Sequence, residues 1–411
     1  MSVNSGDTAW LLISSALVLL MTPGLALFYG GMVRQKNILS TIMMSFVCMA
    51  LVGLLWVLYG YSLSFGADKF GIIGGLDYLG LNNVGQEPSS IYATTVPHLA
   101  FMVFQAMFAV ITVALITGAV VERIKFSALL IIATIWMTVV YSPVAHWVWG
   151  DGGWLAGLGA LDFAGGAVVH INAGVSALAL VMLLGRRRGF PQQPVAPNNV
   201  PMVILGAGLL WFGWFGFNAG SSLASDGLAA SAFVTTNTSA AAAAFTWMII
   251  SWIHRRPTVI GTATGAVAGL VAITPAAGFV SPLAAIPIGA LSSVFGYYSM
   301  LFFKEKLCVD DSLDVFAVHG IGGIWGALAT GIFASTAVNP GGADGLIFGN
   351  GMQLLTQLIS VLIVGAFAFA ATWIIGKLVE VTIGIRVDQR EESVGLDISQ
   401  QGERAYSGLS R

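Results

Sequence analysis

Long runs almost free of charge limit the fold of this chain more than any other feature of its sequence. About 20 apolar residues are needed for a helix to cross the roughly 30 Å hydrocarbon core of a bilayer. Eleven such runs can be read off, at 9 to 32, 38 to 65, 97 to 121, 126 to 148, 163 to 184, 200 to 224, 227 to 252, 258 to 279, 282 to 303, 315 to 336 and 353 to 383. The eighth and ninth share one uncharged stretch, divided at Thr274 to Pro282, where two prolines and Gly278 interrupt a run too long for one helix. A transmembrane barrel would instead show segments of about ten alternating residues, which this pattern lacks. The expected fold is all-α and polytopic, in a cell membrane. Only 9% of the 411 residues are charged, against about 25% in soluble domains. That balance excludes a soluble enzyme and a disordered chain, and 17 basic against 19 acidic residues leave no surplus for nucleic acid. Cys48 and Cys308 lie far apart, so neither a disulfide framework nor a cysteine-based metal site is expected.

The basic residues are one-sided. Loops after odd-numbered spans hold Arg34 and Lys36, Arg123 and Lys125, Arg186 to Arg188, Arg255 and Arg256, and Lys304 and Lys306, eleven in all, whereas loops after even-numbered spans hold only Lys69. Cytoplasmic loops carry the excess of Lys and Arg. The odd loops and the carboxyl terminus are therefore expected in the cytoplasm and the amino terminus outside. No basic segment precedes the first apolar run, so a cleavable signal peptide is not expected. From Ile385 the chain holds nine charged residues in 27, against 27 in the preceding 384. This divides it into a transmembrane domain, 1–384, and a cytoplasmic tail, 385–411.

Five spans followed by five more take opposite orientations, which permits an inverted repeat with the eleventh span as an extra. Leu161-Asp162-Phe163 opens span five and Leu313-Asp314-Val315 opens span ten, and a histidine follows each, His170 and His319. Inverted halves place a substrate site near the midplane, at the repeat interface. An ionisable residue inside an apolar span needs a partner and is by default a functional hypothesis. The bland alternative is an imidazole bonded to a backbone carbonyl of a neighbouring helix. A zinc site needs three or four ligands, and no nearby Cys or Glu supplies them, so no metal or other cofactor is expected. Two imidazoles can, however, share a proton and offer a nitrogen to a small polar solute. His98, His146 and His254 stand near span ends or beside arginines and read as interfacial. Asp162 and Asp314 are each placed to cap a helix amino terminus. Asp162 is also placed to concentrate cations near an outer entrance, and both roles stay open. Gly261, Gly265 and Gly269, and Gly322 with Gly326, have the spacing of helix packing seams.

Aromatic residues form a second constellation. Phe104 and Phe108 share a helix face, Trp149 closes span four, and Trp214, Phe217 and Ser221 run through span six. Such stripes are commonly core packing, or interface belts for tryptophan. The alternative is a cage whose ring faces and hydroxyl bind a small, partly dehydrated cation, at roughly 0.5–2 kcal/mol per ring.

Longer motifs narrow these readings. Gly159-Ala160-Leu161-Asp162-Phe163-Ala164-Gly165-Gly166 followed by Val169-His170-Ile171-Asn172, with Gly213-Trp214-Phe215-Gly216-Phe217-Asn218-Ala219-Gly220-Ser221, resembles the ammonium transporter (Amt) family. So do Pro23-Gly24-Leu25-Ala26-Leu27-Phe28-Tyr29-Gly30-Gly31 and Asp314-Val315-Phe316-Ala317-Val318-His319-Gly320. The resemblance runs over nearly the whole chain. It implies eleven transmembrane helices in inverted five-helix halves plus one extra, amino terminus outside, assembled as a homotrimer in the lipid bilayer with one pore per subunit. It implies an outer recruitment site at Phe108, Trp149 and Ser221, with Phe104 adjacent and Asp162 as buried support. Phe108 and Phe217 resemble the stacked gate, His170 and His319 the twin pore histidines, and Trp214 and Thr274 positions along the pathway. The function implied is ammonium transport, with methylammonium as analogue. Ammonium would be recruited outside and deprotonated, and ammonia conducted, with the histidines relaying the proton. The rivals are an electroneutral ammonia gas channel of the Rhesus type and an ammonium sensor. An enzyme is not expected, since no nucleophile–base pair or metal set appears by motif. The tail, with Gly384-Ile385-Arg386-Val387, Gly395-Leu396-Asp397 and Gly402-Glu403-Arg404-Ala405-Tyr406, resembles the family's regulatory carboxyl terminus, where a PII-type protein docks in bacterial and archaeal relatives. A plain solvated tail is the alternative.

Overall fold

The computed structural model describes residues 2–193 and 195–406, so residues 407–411 of the expected tail lie outside it. The chain is predominantly helical. Its main elements are α1 (Ser5–Met32), α2 (Gln35–Phe65), α3 (His98–Val120), α4 (Phe126–Gly157), α5 (Gly166–Leu184), α6 (Val200–Ser222), α7 (Gly227–His254), α8 (Val259–Ile273), α9 (Pro282–Lys306), α10 (Phe316–Phe333) and α11 (Gly351–Thr382). Ten of these are long and apolar enough to cross a membrane, and α8 is the shorter exception. The run at 258 to 279 shortens because Pro275 has no N–H to continue the ladder. The chain then turns until Ser281, whose hydroxyl accepts the Ala284 N–H and starts α9. Side chains of Asn4, Asp226 and Thr258 start α1, α7 and α8 in the same way. Among the described residues the only strands are two short antiparallel pairs in the loop between α2 and α3.

Glycines set how closely the helices approach. A Cβ at Gly206 of α6 would lie 2.4 Å from the Phe28 nitrogen of α1, so these two helices touch backbone to backbone. The expected seams are present: Gly265 and Gly269 of α8 meet Trp247 and Ser239 of α7, and Gly326 of α10 meets the Ala272 carbonyl.

Two of the three histidines near span ends are buried inside the protein. His98 is 5% exposed and His146 is fully buried. Nε2 of His98 pairs with the Tyr61 hydroxyl at 2.5 Å, and the two ring nitrogens of His146 reach the Ser64 carbonyl and the Asp68 carboxylate at 3.0 and 2.9 Å. Chain position gave no sign of this, because the loop between α2 and α3 folds back over both rings. The His146 contact holds the Asp68 carboxyl below the usual carboxylate range. His254 stays exposed beside Arg255 and Arg256.

At the tail end, charges are buried in matched sets. Arg187 grips Asp310 with Nη2 at 2.7 Å and Glu122 with Nη1 at 2.7 Å. Burial alone would raise both carboxyls, but Arg187 pulls each below its ordinary value. The tail packs on this surface. Arg386 donates to the last carbonyls of α5 at Leu184 and to Arg186, and pairs with Glu392, while Asp397 accepts the Ser40 N–H of α2.

Candidate functional site

The centre of the site is two π-helical turns, Gly166–Ile171 opening α5 and Phe316–Ile321 opening α10. Wide turns of this kind are rare and are frequent at functional sites. His170 and His319 stand in them, 1% and 3% exposed, with their Nδ1 atoms 3.2 Å apart. One ring must donate and the other accept, so a single proton lies between them. Just beyond the first turn α5 meets the second in backbone contact, because a Cβ at Gly174 would fall 2.2 Å from the Gly320 nitrogen. His170 Nε2 is buried without a partner in the protein. The ring stacks on Trp214 at 5.5 Å, and the Trp214 N–H bonds the Thr274 hydroxyl at 2.9 Å. Thr274 thus holds the Trp214 ring through its hydroxyl.

Asp162 caps the first turn. Its carboxylate accepts the backbone N–H groups of Gly165, Gly166, Ala167 and Val168 at 2.5–3.2 Å. Gly165, at φ 111°, makes the approach that lets all four converge. The Asp162 carbonyl also accepts the Trp149 indole N–H at 2.9 Å, so one residue fixes both the histidine turn and the tryptophan. Asp314 does not play the matching part. It has φ 61°, and its carboxylate pairs with Lys304 at 2.7 Å. Asp311 takes that place, accepting the Phe316 N–H at 2.7 Å. Sequence reading missed it by following the Leu-Asp echo, although the common signal was there: Asp162 and Asp311 each stand eight residues before a histidine. Asp311 keeps one buried oxygen without a partner, and burial, reinforced by Asp314, pushes its carboxyl up to about 6.

Two cavities meet at this centre. The first, at the end opposite the tail, holds about 370 Å³ and is lined by Phe104, Gln105, Phe108, Trp149, Asp162 and Ser221 among others. Phe108 meets Phe104 and Trp149 edge to face, with centroids 4.9 and 5.8 Å apart. The Ser221 hydroxyl donates to the Phe217 carbonyl at 2.9 Å, leaving its lone pairs free. The second cavity, about 660 Å³, is lined by His170, His319, Trp214 and Phe217 within mostly apolar walls, and extends to Arg255, Arg256 and Asp314 toward the tail end. Between them Phe108 and Phe217 stack at 4.2 Å and 25°. The structure thus brings Phe104, Phe108, Trp149, Asp162 and Ser221 to one cavity and Trp214, Phe217, His170 and His319 to the other, joined at the Phe108–Phe217 stack. Among the described residues no group of three or more His, Cys, Asp or Glu is placed to hold a metal ion.

Comparison with known proteins agrees over the whole length. The model of the Ammonium Transporter Family matches residues 9–406. An ammonium transporter of Bacillus subtilis is 50% identical over 405 residues, covering 98% of this chain and 99% of its own. Ammonium transporter Amt1 of Archaeoglobus fulgidus is likewise 50% identical, over 98% and 100% of the two chains. Among solved structures, Mep2 of Saccharomyces cerevisiae superposes with a TM-score of 0.91 at 34% identity, covering 99% of this chain and 93% of that one.

Proposed function

We propose a mechanism from the premise that this chain belongs to the Ammonium Transporter Family and is a multi-pass membrane protein that transports ammonium. Ammonium binds in the aromatic cavity at Phe104, Phe108, Trp149 and Ser221, supported by Asp162. It loses a proton at the Phe108–Phe217 gate, and ammonia passes His170 and His319 into the larger cavity while the histidine pair carries the proton onward. The observation that carries this reading is the stacked ring pair between two cavities, with the imidazoles sharing a hydrogen bond immediately beyond it.

The physics favours splitting the permeant. Ammonium and potassium have similar size and equal charge, so a size filter fails. A bare monovalent ion in an apolar passage costs on the order of tens of kcal/mol, whereas neutral ammonia forfeits only about 2–7 kcal/mol of hydrogen bonding. Potassium has no proton to give up. In this reading the amino terminus and the aromatic cavity lie outside, all eleven helices cross the membrane, the two histidine turns open inverted five-helix halves, three copies assemble, and the tail surface is cytoplasmic and open to a PII-type partner. The basic loops around Arg34, Arg123, Arg187, Arg255 and Lys304 support that orientation.

The test is an ammonium pulse on reconstituted liposomes with charge movement recorded. The expected result is a current with ammonium and methylammonium and none with potassium; uptake without net charge would replace this mechanism with gas conduction. His170→Ala together with His319→Ala is expected to lose the selective current. A selective and undiminished current in that double variant would remove the relay.

A further inference from the structure

Of the α3 residues that line the smaller cavity, Gln105 is the one with a polar side chain. Phe101, Phe104 and Phe108 surround it at helical spacing and line the smaller cavity with it, one turn from the stacked gate. Gln105 is 9% exposed, and its Oε1 is buried without a hydrogen-bond partner. A buried acceptor left bare is costly, and native structures seldom keep one without a reason. Nearby polar groups are already engaged: the Asp162 carboxylate holds four backbone N–H groups, and the Trp149 N–H is given to the Asp162 carbonyl. Ser221 keeps free lone pairs after donating to Phe217. The acceptors left for an incoming N–H are thus the amide of Gln105 and the hydroxyl of Ser221.

We propose that Gln105 Oε1 accepts an N–H of the bound cation and is a specificity-determining residue of this cavity. The proposal rests on the ammonium reading above and adds a directed contact to it. Ring faces attract any monovalent cation, since the interaction is with charge. A hydrogen-bond acceptor distinguishes ammonium, which has N–H donors, from a spherical ion that needs a full ring of oxygens to replace its water. Two oxygens cannot supply that ring.

Wild type, Gln105→Met and Gln105→Glu are reconstituted in liposomes. Uptake of labelled methylammonium, its inhibition by ammonium or potassium, and current are recorded. Methionine keeps the length and helix propensity of glutamine but removes the acceptor. It is expected to raise the half-saturating ammonium concentration about tenfold while maximal uptake changes less than about twofold. Glutamate is expected to lower that concentration several-fold and to make uptake sensitive to potassium. A purely packing role would lower maximal uptake and thermal stability and leave half-saturation unchanged. Unchanged half-saturation in both variants, with wild-type uptake intact, overturns the assignment. Loss of current with uptake retained in the wild type overturns charge coupling instead and still lets the Gln105 contact be read from uptake.

Discussion

The two histidine turns are built alike and held differently. The turn of His170 is closed by its own segment: Asp162 reaches three to six residues ahead and satisfies four backbone donors at once. The turn of His319 receives one such bond, from Asp311, and the segment carrying Asp311 is pinned from far along the chain, by Arg187 on Asp310 and by Arg123 on the Asp310 carbonyl and Ser312. One half-site is local and the other is assembled. The first should therefore fail when a single residue is removed, and the second only when its distant anchors are.

The largest effect is expected at Asp162. Replacement by Ala leaves four backbone donors without their acceptor and frees the Asp162 loop that holds Trp149. The expected loss is about 4 kcal/mol or more of stability, since each buried unsatisfied group costs about 1–3 kcal/mol. Ammonium uptake should vanish with it. Denaturant unfolding in detergent beside liposome uptake checks this, and a stable, active Asp162→Ala protein would remove the idea of a single local cap. Next comes Arg187→Met, which strands the buried carboxylates of Asp310 and Glu122. Breaking such a set costs about 3–5 kcal/mol. Arg187 holds both carboxyls below their ordinary range, so their contribution is present above about pH 4, near the unfolded carboxylate values, and is lost as pH falls through the depressed native ones. Unfolding measured between pH 7 and pH 3 should therefore show a shallower acid loss in Arg187→Met than in wild type.

How much of this was legible beforehand differs by residue for physical reasons. The helices were, because a bilayer demands long uncharged runs, and so were the residues brought together along them, because the aromatic groups and His170 and His319 stand out inside those runs. Asp162 was singled out as a cap and is one, since its partners follow within a few residues. The burial of His98 and His146 was not legible because their partners, Tyr61, Ser64 and Asp68, come from another segment that folds over them. The bond from the Trp214 N–H to the Thr274 hydroxyl joins residues sixty positions apart. Contacts made across more than thirty residues leave no periodic trace in the chain.

Asp311 separates the two turns more finely. With its carboxyl pushed up to about 6, against about 4 when unfolded, the folded protein binds the proton more tightly than the unfolded chain. Its contribution therefore rises as pH falls from above 6 toward 4 and fades as pH rises through 6. Asp311→Asn should remove that slope, worth up to about 3 kcal/mol, while leaving the acid loss due to Asp310 and Glu122 in place. The comparison is wild type against variant at each pH, and identical curves would show that Asp311 is not the buried, half-satisfied acid it is taken to be.

The smallest effect is expected at Asp314, the residue that the repeated Leu-Asp pattern paired with Asp162. Its carboxylate forms a partly exposed ion pair with Lys304, 2.7 Å long, with side-chain exposures of 19% and 30%, and such pairs are worth about 0–1 kcal/mol. Its backbone, at φ 61°, suits Asn as well as Asp. Asp314→Asn should thus shift unfolding by less than about 1 kcal/mol. A loss as large as that of Asp162→Ala would restore Asp314 as the structural counterpart of Asp162 and deny Asp311 that place, whereas the small shift leaves the eight-residue spacing from aspartate to histidine as the feature the two turns share.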